Sequence, residues 1–202
     1  MADPIVDLFC EDTGHELLAR SLITRLARET GLRLRIYTQS AVGGRGRAIT
    51  QLEAYQRAIS KGYLVHPIPD LLVIIIDAND VGPSAMEQRV REKTNGSVFP
   101  RIVIGCPDPH VERWCFADPQ AFMSIVGAAP PPEPQSLGPG GYKELLERSI
   151  LQAGQTIATT PMEFAPDLID AMDLFRAGKN QPSLKRFVEG LRDQLSAIAN
   201  RA

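Results

Sequence analysis

Two short segments of this chain place carboxylates directly after runs of apolar residues. Glu11-Asp12 follows Ile5 to Cys10, and Asp77-Ala78-Asn79-Asp80 follows Leu71 to Ile76. Each run reads as a strand, so both sets of acids stand where a strand ends. In open α/β sheets ligands bind outside the carboxyl ends of the strands, and carboxylates gathered there repel one another unless a divalent cation or a proton holds them. An isolated Glu between a strand and a helix is ordinarily a solvated turn residue, and Asp12 or Thr13 reads equally well as the cap of the helix that follows. The second acidic segment changes that reading. Asp77, Asn79 and Asp80 offer oxygen donors of the kind that suit Mg2+ or Mn2+, and Glu11 closes the same crevice if the two strands are neighbours.

A third segment, Pro107-Asp108-Pro109-His110-Val111-Glu112-Arg113-Trp114-Cys115-Phe116-Ala117-Asp118-Pro119, brings two further acids, Glu112 and Asp118, after another strand. Its single Trp reads as core, and Asp118-Pro119 reads as the start of a helix. His110, two residues from Glu112, is a candidate proton shuttle. Packing or a surface position is the more ordinary role for a lone histidine, and His15 is read in the same way. Cys10, Cys106 and Cys115 form no C-x-x-C pair and read as small apolar residues. A zinc site joining them to His15, His66 or His110 lacks the ligand spacing.

The elements that must position these residues alternate. Ile5 to Cys10 reads as a strand, and Gly14 to Glu29 as an amphipathic helix stopped by Gly31. Leu32 to Tyr37 has the period of a half-exposed strand. A Gly43-Gly44-Arg45-Gly46-Arg47 loop opens into a helix from about 48 to 61. Asp70 to Ile76 is a β-branched run of the kind found in a parallel strand buried on both faces. A helix from about 83 to 93 precedes a fourth strand at Arg101 to Ile104. The expected fold is therefore α/β, a mainly parallel sheet wrapped by helices. Residues 128–141 change to Pro and Gly and read as a linker or surface loop. Beyond them, 142–153, 165–177 and 183–199 read as helices, the last with Leu184, Phe187, Val188, Leu191, Leu195 and Ile198 in one stripe. The expected organisation is an α/β unit at 1–127, the linker at 128–141, and a helical cap at 142–202 packed on the same domain.

Composition bounds the function. With 202 residues, 44% of them hydrophobic and 23% charged, the chain is long enough for one generous core. A net charge of -2 excludes coating nucleic acid by bulk positive charge, so any phosphate contact must be local. The longest apolar run is strand-sized, which argues against a membrane span, and the N-terminus carries no signal-type pattern, so a cytoplasmic protein is expected. There is no Gly-x-x-x-x-Gly-Lys phosphate loop.

A Glu ending the first strand, followed by Asp-x-Asn-Asp after Leu-Leu-Val-Ile-Ile-Ile, resembles the Toprim domain of topoisomerases, primases and OLD-family nucleases. The Glu112-x-Trp114-x-x-x-Asp118 segment is similar to that of small stand-alone bacterial Toprim-like proteins, a group suspected in phage defence. The loop at 43–47 and the late Pro182-Ser183-x-x-x-Phe187 also resemble that group. Two positions depart from the pattern: Asp12 stands where Toprim domains usually carry Gly, and Asn79 replaces an Asp, offering an oxygen without its charge.

The resemblance implies a metal-dependent phosphodiesterase or nuclease. Asp77, Asn79 and Asp80 would hold Mg2+ or Mn2+, Glu11 would act as general acid/base or share the ion, and Glu112 would complete a second position. Arg45 and Arg47 would grip phosphates, or would simply be solvated. The implied partners are nucleic acid, DNA or RNA, and a separate ATPase, with no membrane; self-association stays open. Two rivals stand beside this reading. One is a doubly wound signalling domain, which should carry a Lys after the fourth strand and does not. The other is a non-catalytic binding module with a degenerate acidic edge.

Overall fold

The computed structural model describes residues 3–41, 45–63, 67–132, 137 and 140–201. Its framework is a four-stranded, all-parallel sheet covered by helices on both faces, the architecture that the alternating pattern predicts. In chain order the first part contains β1 (Ile5–Cys10), α1 (Thr13–Glu29), β2 (Arg35–Ser40), α2 (Arg45–Ser60), β3 (Leu71–Ile75), α3 (Pro83–Glu92) and β4 (Ile102–Gly105). Two short helices follow, α4 (Glu112–Cys115) and α5 (Pro119–Val126), and then α6 (Gly141–Gln152), α7 (Ala165–Ala171), α8 (Leu174–Asn180) and α9 (Pro182–Ala199).

The strand order is β2-β1-β3-β4. β1 and β3 are the central pair and every residue in them is buried, which is why their sequences are nearly continuous apolar runs. Alternation divides the core. Val6, Leu8, Cys10, Leu71, Val73 and Ile75 face α1 and the C-terminal helices. Phe9, Leu72 and Ile74 face the other way, toward Leu52 of α2 and Met86 and Val90 of α3. Asp7, also on β1, is buried as well and accepts a hydrogen bond from the Tyr55 hydroxyl of α2.

β2 is the exposed edge and begins at Arg35, later than the alternation of Leu32 to Tyr37 suggests. Its pairing with β1 starts at Ile5 opposite Arg35, while Leu32 and Leu34 pack against the core ahead of the strand. The stretch read as one helix over 165–177 is two. Met172 adopts an extended conformation, and the Asp173 carboxylate accepts from the amides of Phe175 and Arg176, which starts α8 afresh.

The stripe predicted for the last helix is buried along the whole of α9. It shares one apolar cluster with β1, β3, α1 and α6. The stretch read as a loop at 43–47 is helical from Arg45, the start of α2; residues 42–44 and the side chain of Arg45 lie outside the described residues, as do His66 and residues 133–136 and 138–139 of the Pro/Gly stretch.

Candidate functional site

Strand order fixes where a site can form. From β1 the chain crosses to β2 on one side, and the next strand, β3, lies on β1's other side, so the connections leave the two central strands in opposite directions. That divergence opens a crevice at their carboxyl ends. Glu11 leaves β1 into this crevice, and Asp77 enters it two residues after β3. The Asp77 backbone N–H donates to Glu11 Oε2 at 3.2 Å, which ties the two acidic segments together.

The start of α1 supplies the centre. Asp12 is the N-cap, its Oδ1 accepting from the His15 amide at 3.1 Å and from His15 Nδ1 at 2.8 Å. His15 is therefore held on the first helical turn with its other nitrogen, Nε2, 2.9 Å from Asp77 Oδ1. The second Asp77 oxygen lies 3.0 Å from His110 Nδ1. Ligand atoms of Glu11, His15 and Asp77 all fall within 4.8 Å of one another, a group that could hold a metal ion.

Burial and charge set the protonation states. Burial works against a charged His15, but the Asp77 and Asp12 carboxylates outweigh it and raise its pKa. Burial likewise pushes Asp77 upward and is overcome by the His15 charge and the hydrogen bonds from both histidines, so Asp77 is held below the usual carboxylate range. For Asp12, hydrogen bonds and charge from His15 overcome burial and bring the carboxyl to about 2. Glu11 and Glu112 go the other way: burial raises both, with the Asp77 charge adding to it. His110 is raised chiefly by its hydrogen bond to Asp77. Four carboxyls and two imidazoles thus share one crevice, and its charge is balanced only while protons or a cation remain there.

The structure brings together Glu11 and Asp77 as the sequence suggests, and adds His15, which by its type and position in the sequence reads as an ordinary packing or surface residue. The signal was local. An Asp at the N-cap and a His three residues on form a capping-box-like pair that turns the imidazole back over the strand end. Asn79 lies in the adjoining turn with φ 49, and its carboxamide nitrogen donates to the Asp77 carbonyl at 3.2 Å. Asp80 is exposed on the same turn and, like Glu112, lies outside the Glu11, His15, Asp77 group. Glu112 begins α4 and flanks the cluster within electrostatic reach of Asp77, His15 and Asp12. Arg47 is exposed in the first turn of α2.

Asp118 serves the scaffold. It is fully buried, caps α5, and accepts from Gln120 N, Asp173 N and a bidentate Arg176 guanidinium at 2.7–3.1 Å. Trp114 is core, as its type suggests. Its Nε1 donates to Ser183 Oγ at 3.0 Å and its ring stacks on Phe187, 5.6 Å between centroids. The two segments that looked like separate motifs, around Trp114 and around Ser183, are thus one packing unit that seats α4, and with it Glu112, beside the crevice.

A metal fits the donor set on one further ground. Histidines that ligate metals almost always give their other N–H to a carboxylate or carbonyl, which fixes the tautomer, and the Asp12–His15 bond supplies that arrangement.

Among the described residues no helix is long and apolar enough to cross a membrane. No family model and no solved structure matches the chain. Over 111 residues it is 36% identical to the GDSL-like esterase Rv1075c of Mycobacterium tuberculosis, an alignment covering 48% of this chain and spanning 30% of that protein's length. The chain itself holds no Gly-Asp-Ser-Leu run.

Proposed function

We propose that this chain is a divalent-metal-dependent hydrolase of phosphodiester bonds in nucleic acid. The observation that carries the reading is the convergence of Glu11, His15 and Asp77 within 4.8 Å at the switch-point crevice, with Asp12 orienting the histidine. The order of the acidic segments, resembling that of Toprim domains, supports phosphoryl chemistry, and the partial match to an esterase supports hydrolysis as the reaction class.

Glu11, His15 and Asp77 would hold the ion, Mg2+ or Mn2+. When bound, it would neutralise charge growing on a phosphate oxygen and acidify an attacking water. The chain's own residues do the rest. Glu11, its pKa raised by burial and by the Asp77 charge, is placed to exchange a proton with a reacting oxygen, or to share the ion as a carboxylate. His110, held at Nδ1 by Asp77, presents its half-exposed ring as a proton donor at the crevice mouth. Glu112 adds negative charge on the far side, where a second cation would sit.

A serine-esterase mechanism has less support. Among the described residues no hydroxyl or thiol hydrogen-bonds to either site histidine. A separate ATPase partner and a role in phage defence belong to the same proposal, as what the resemblance to OLD-type and stand-alone Toprim-like proteins implies.

The test is cleavage of labelled single- and double-stranded DNA and RNA with Mn2+ or Mg2+, comparing wild type with Glu11→Gln and Asp77→Asn. Activity that needs the metal and falls at least about 100-fold in both variants, with folding retained, is expected. Metal-independent cleavage, or cleavage unchanged in both variants, refutes the reading.

A further inference from the structure

Next to the acidic crevice lies a cavity of about 280 Å3, framed by α4, α6 and the junction of α8 with α9. Phe116, Tyr142 and Pro130 give it flat apolar walls, and Arg113, Asn180 and Gln181 give it polar groups. Its size lies at the small end of ligand sites, right for one planar heterocycle.

The polar groups are placed for recognition. Gln181 is 7% exposed, and its carboxamide makes no hydrogen bond among the described residues, although it lines the cavity. A carboxamide there offers a ligand both a donor and an acceptor. The neighbouring Asn180 spends its amide nitrogen on the Ala117 carbonyl at 2.9 Å, which leaves its oxygen as an acceptor. The Arg113 guanidinium lies 5.8 Å from the centre of the Tyr142 ring, with Nη1 on the Asp108 carbonyl. Donors and acceptors from Asn180 and Gln181, with aromatic walls beside them, match the edge and faces of a nucleobase.

The cavity is also tied to the reaction site. The Tyr142 ring is 6.4 Å from the His110 ring, whose Nδ1 contacts Asp77, and Arg113 follows Glu112 on α4. A nucleotide with its base between Phe116 and Tyr142 would have its phosphate on the crevice side. We infer that this cavity takes an unstacked nucleobase and so selects single-stranded or base-extruded substrate, an inference that rests on the nucleic-acid reading of the site.

Binding, not cleavage, tests it. A fluorescein-labelled single-stranded oligonucleotide of mixed sequence is compared by anisotropy with an abasic oligomer of equal length, in Ca2+, as ribose and deoxyribose versions. The intact strand is expected to bind at least about 10-fold tighter. Gln181→Leu should remove that preference while leaving abasic binding, Mn2+ binding by calorimetry and thermal unfolding near wild type, and Phe116→Ala, which also loses packing on Phe122, should remove it with abasic and Mn2+ binding retained below its lowered unfolding midpoint. Competition by nucleoside monophosphates, but not by ribose 5-phosphate, would support the base pocket and identify free nucleotides as a source.

Equal binding of intact and abasic strands, or a preference untouched by both variants, overturns the inference. Cleavage with base-independent binding removes this pocket and spares the hydrolase reading. Base-dependent binding without cleavage does the reverse.

Discussion

At the scale of single residues, Asp12 does two jobs with one oxygen. Its Oδ1 caps α1 and holds the His15 ring, and these can be separated. In Asp12→Ser the hydroxyl still caps the helix but is too short to hold the imidazole. Mn2+ affinity measured by calorimetry should fall about 10- to 100-fold, the usual cost of removing such a supporting carboxylate, while the unfolding midpoint stays within a few degrees. An unchanged affinity would show that His15 needs no orientation, or is no ligand. Asn79 makes the complementary point. Its carboxamide is turned to the Asp77 carbonyl and its backbone is left-handed, a conformation Asn tolerates better than most residues. Asn79→Ala should therefore act mainly through the turn, with Asp77 displaced and metal binding weakened.

At the scale of elements, the junction of α5, α7 and α8 depends on Asp118. Its carboxylate collects two backbone amides and the Arg176 guanidinium in a fully buried position, and its pKa falls to about 2, the hydrogen bonds and positive charge of Arg176 and the backbone overcoming burial. The folded-state value lies below the ordinary value of an unfolded chain. The contribution is therefore complete above about pH 4 and is lost as pH falls toward 2. Arg176→Met should lower stability in urea at neutral pH and move the start of acid unfolding to higher pH. If urea stability does not change, the pair is not supporting this junction.

At the scale of the whole molecule, the sheet and the C-terminal helices are coupled through a glycine. A Cβ at Gly105, the last residue of β4, would stand 2.7 Å from Phe187 Cδ2 of α9, and Phe187 in turn stacks on Trp114, which seats α4. Gly105→Ala should cost about 1–3 kcal/mol by overpacking. Adding Phe187→Leu should recover part of that loss, a positive coupling that a double-mutant cycle in thermal unfolding would read. Additive effects would mean that α9 does not press on the sheet there. The same contacts explain why residues more than a hundred positions apart serve one crevice: β1 and β3 present the acids, and α9 fixes the helix that carries Glu112.

The sequence by itself determined the alternation of strands and helices, the two fully buried central strands, the α9 stripe, and the carboxylates at two strand ends. Each of these is a local pattern of apolar period or of residue type at a break, legible because neighbours in the chain impose it. Only the tertiary structure decided that β1 and β3 are adjacent, that His15 reaches Asp77 across 62 positions, and that Asp118 belongs to the scaffold while Glu112 flanks the crevice. Strand order and the long-range pairing of charges depend on how the two apolar faces of the sheet are covered. That is a property of the packed chain as a whole, which no window of neighbouring residues contains.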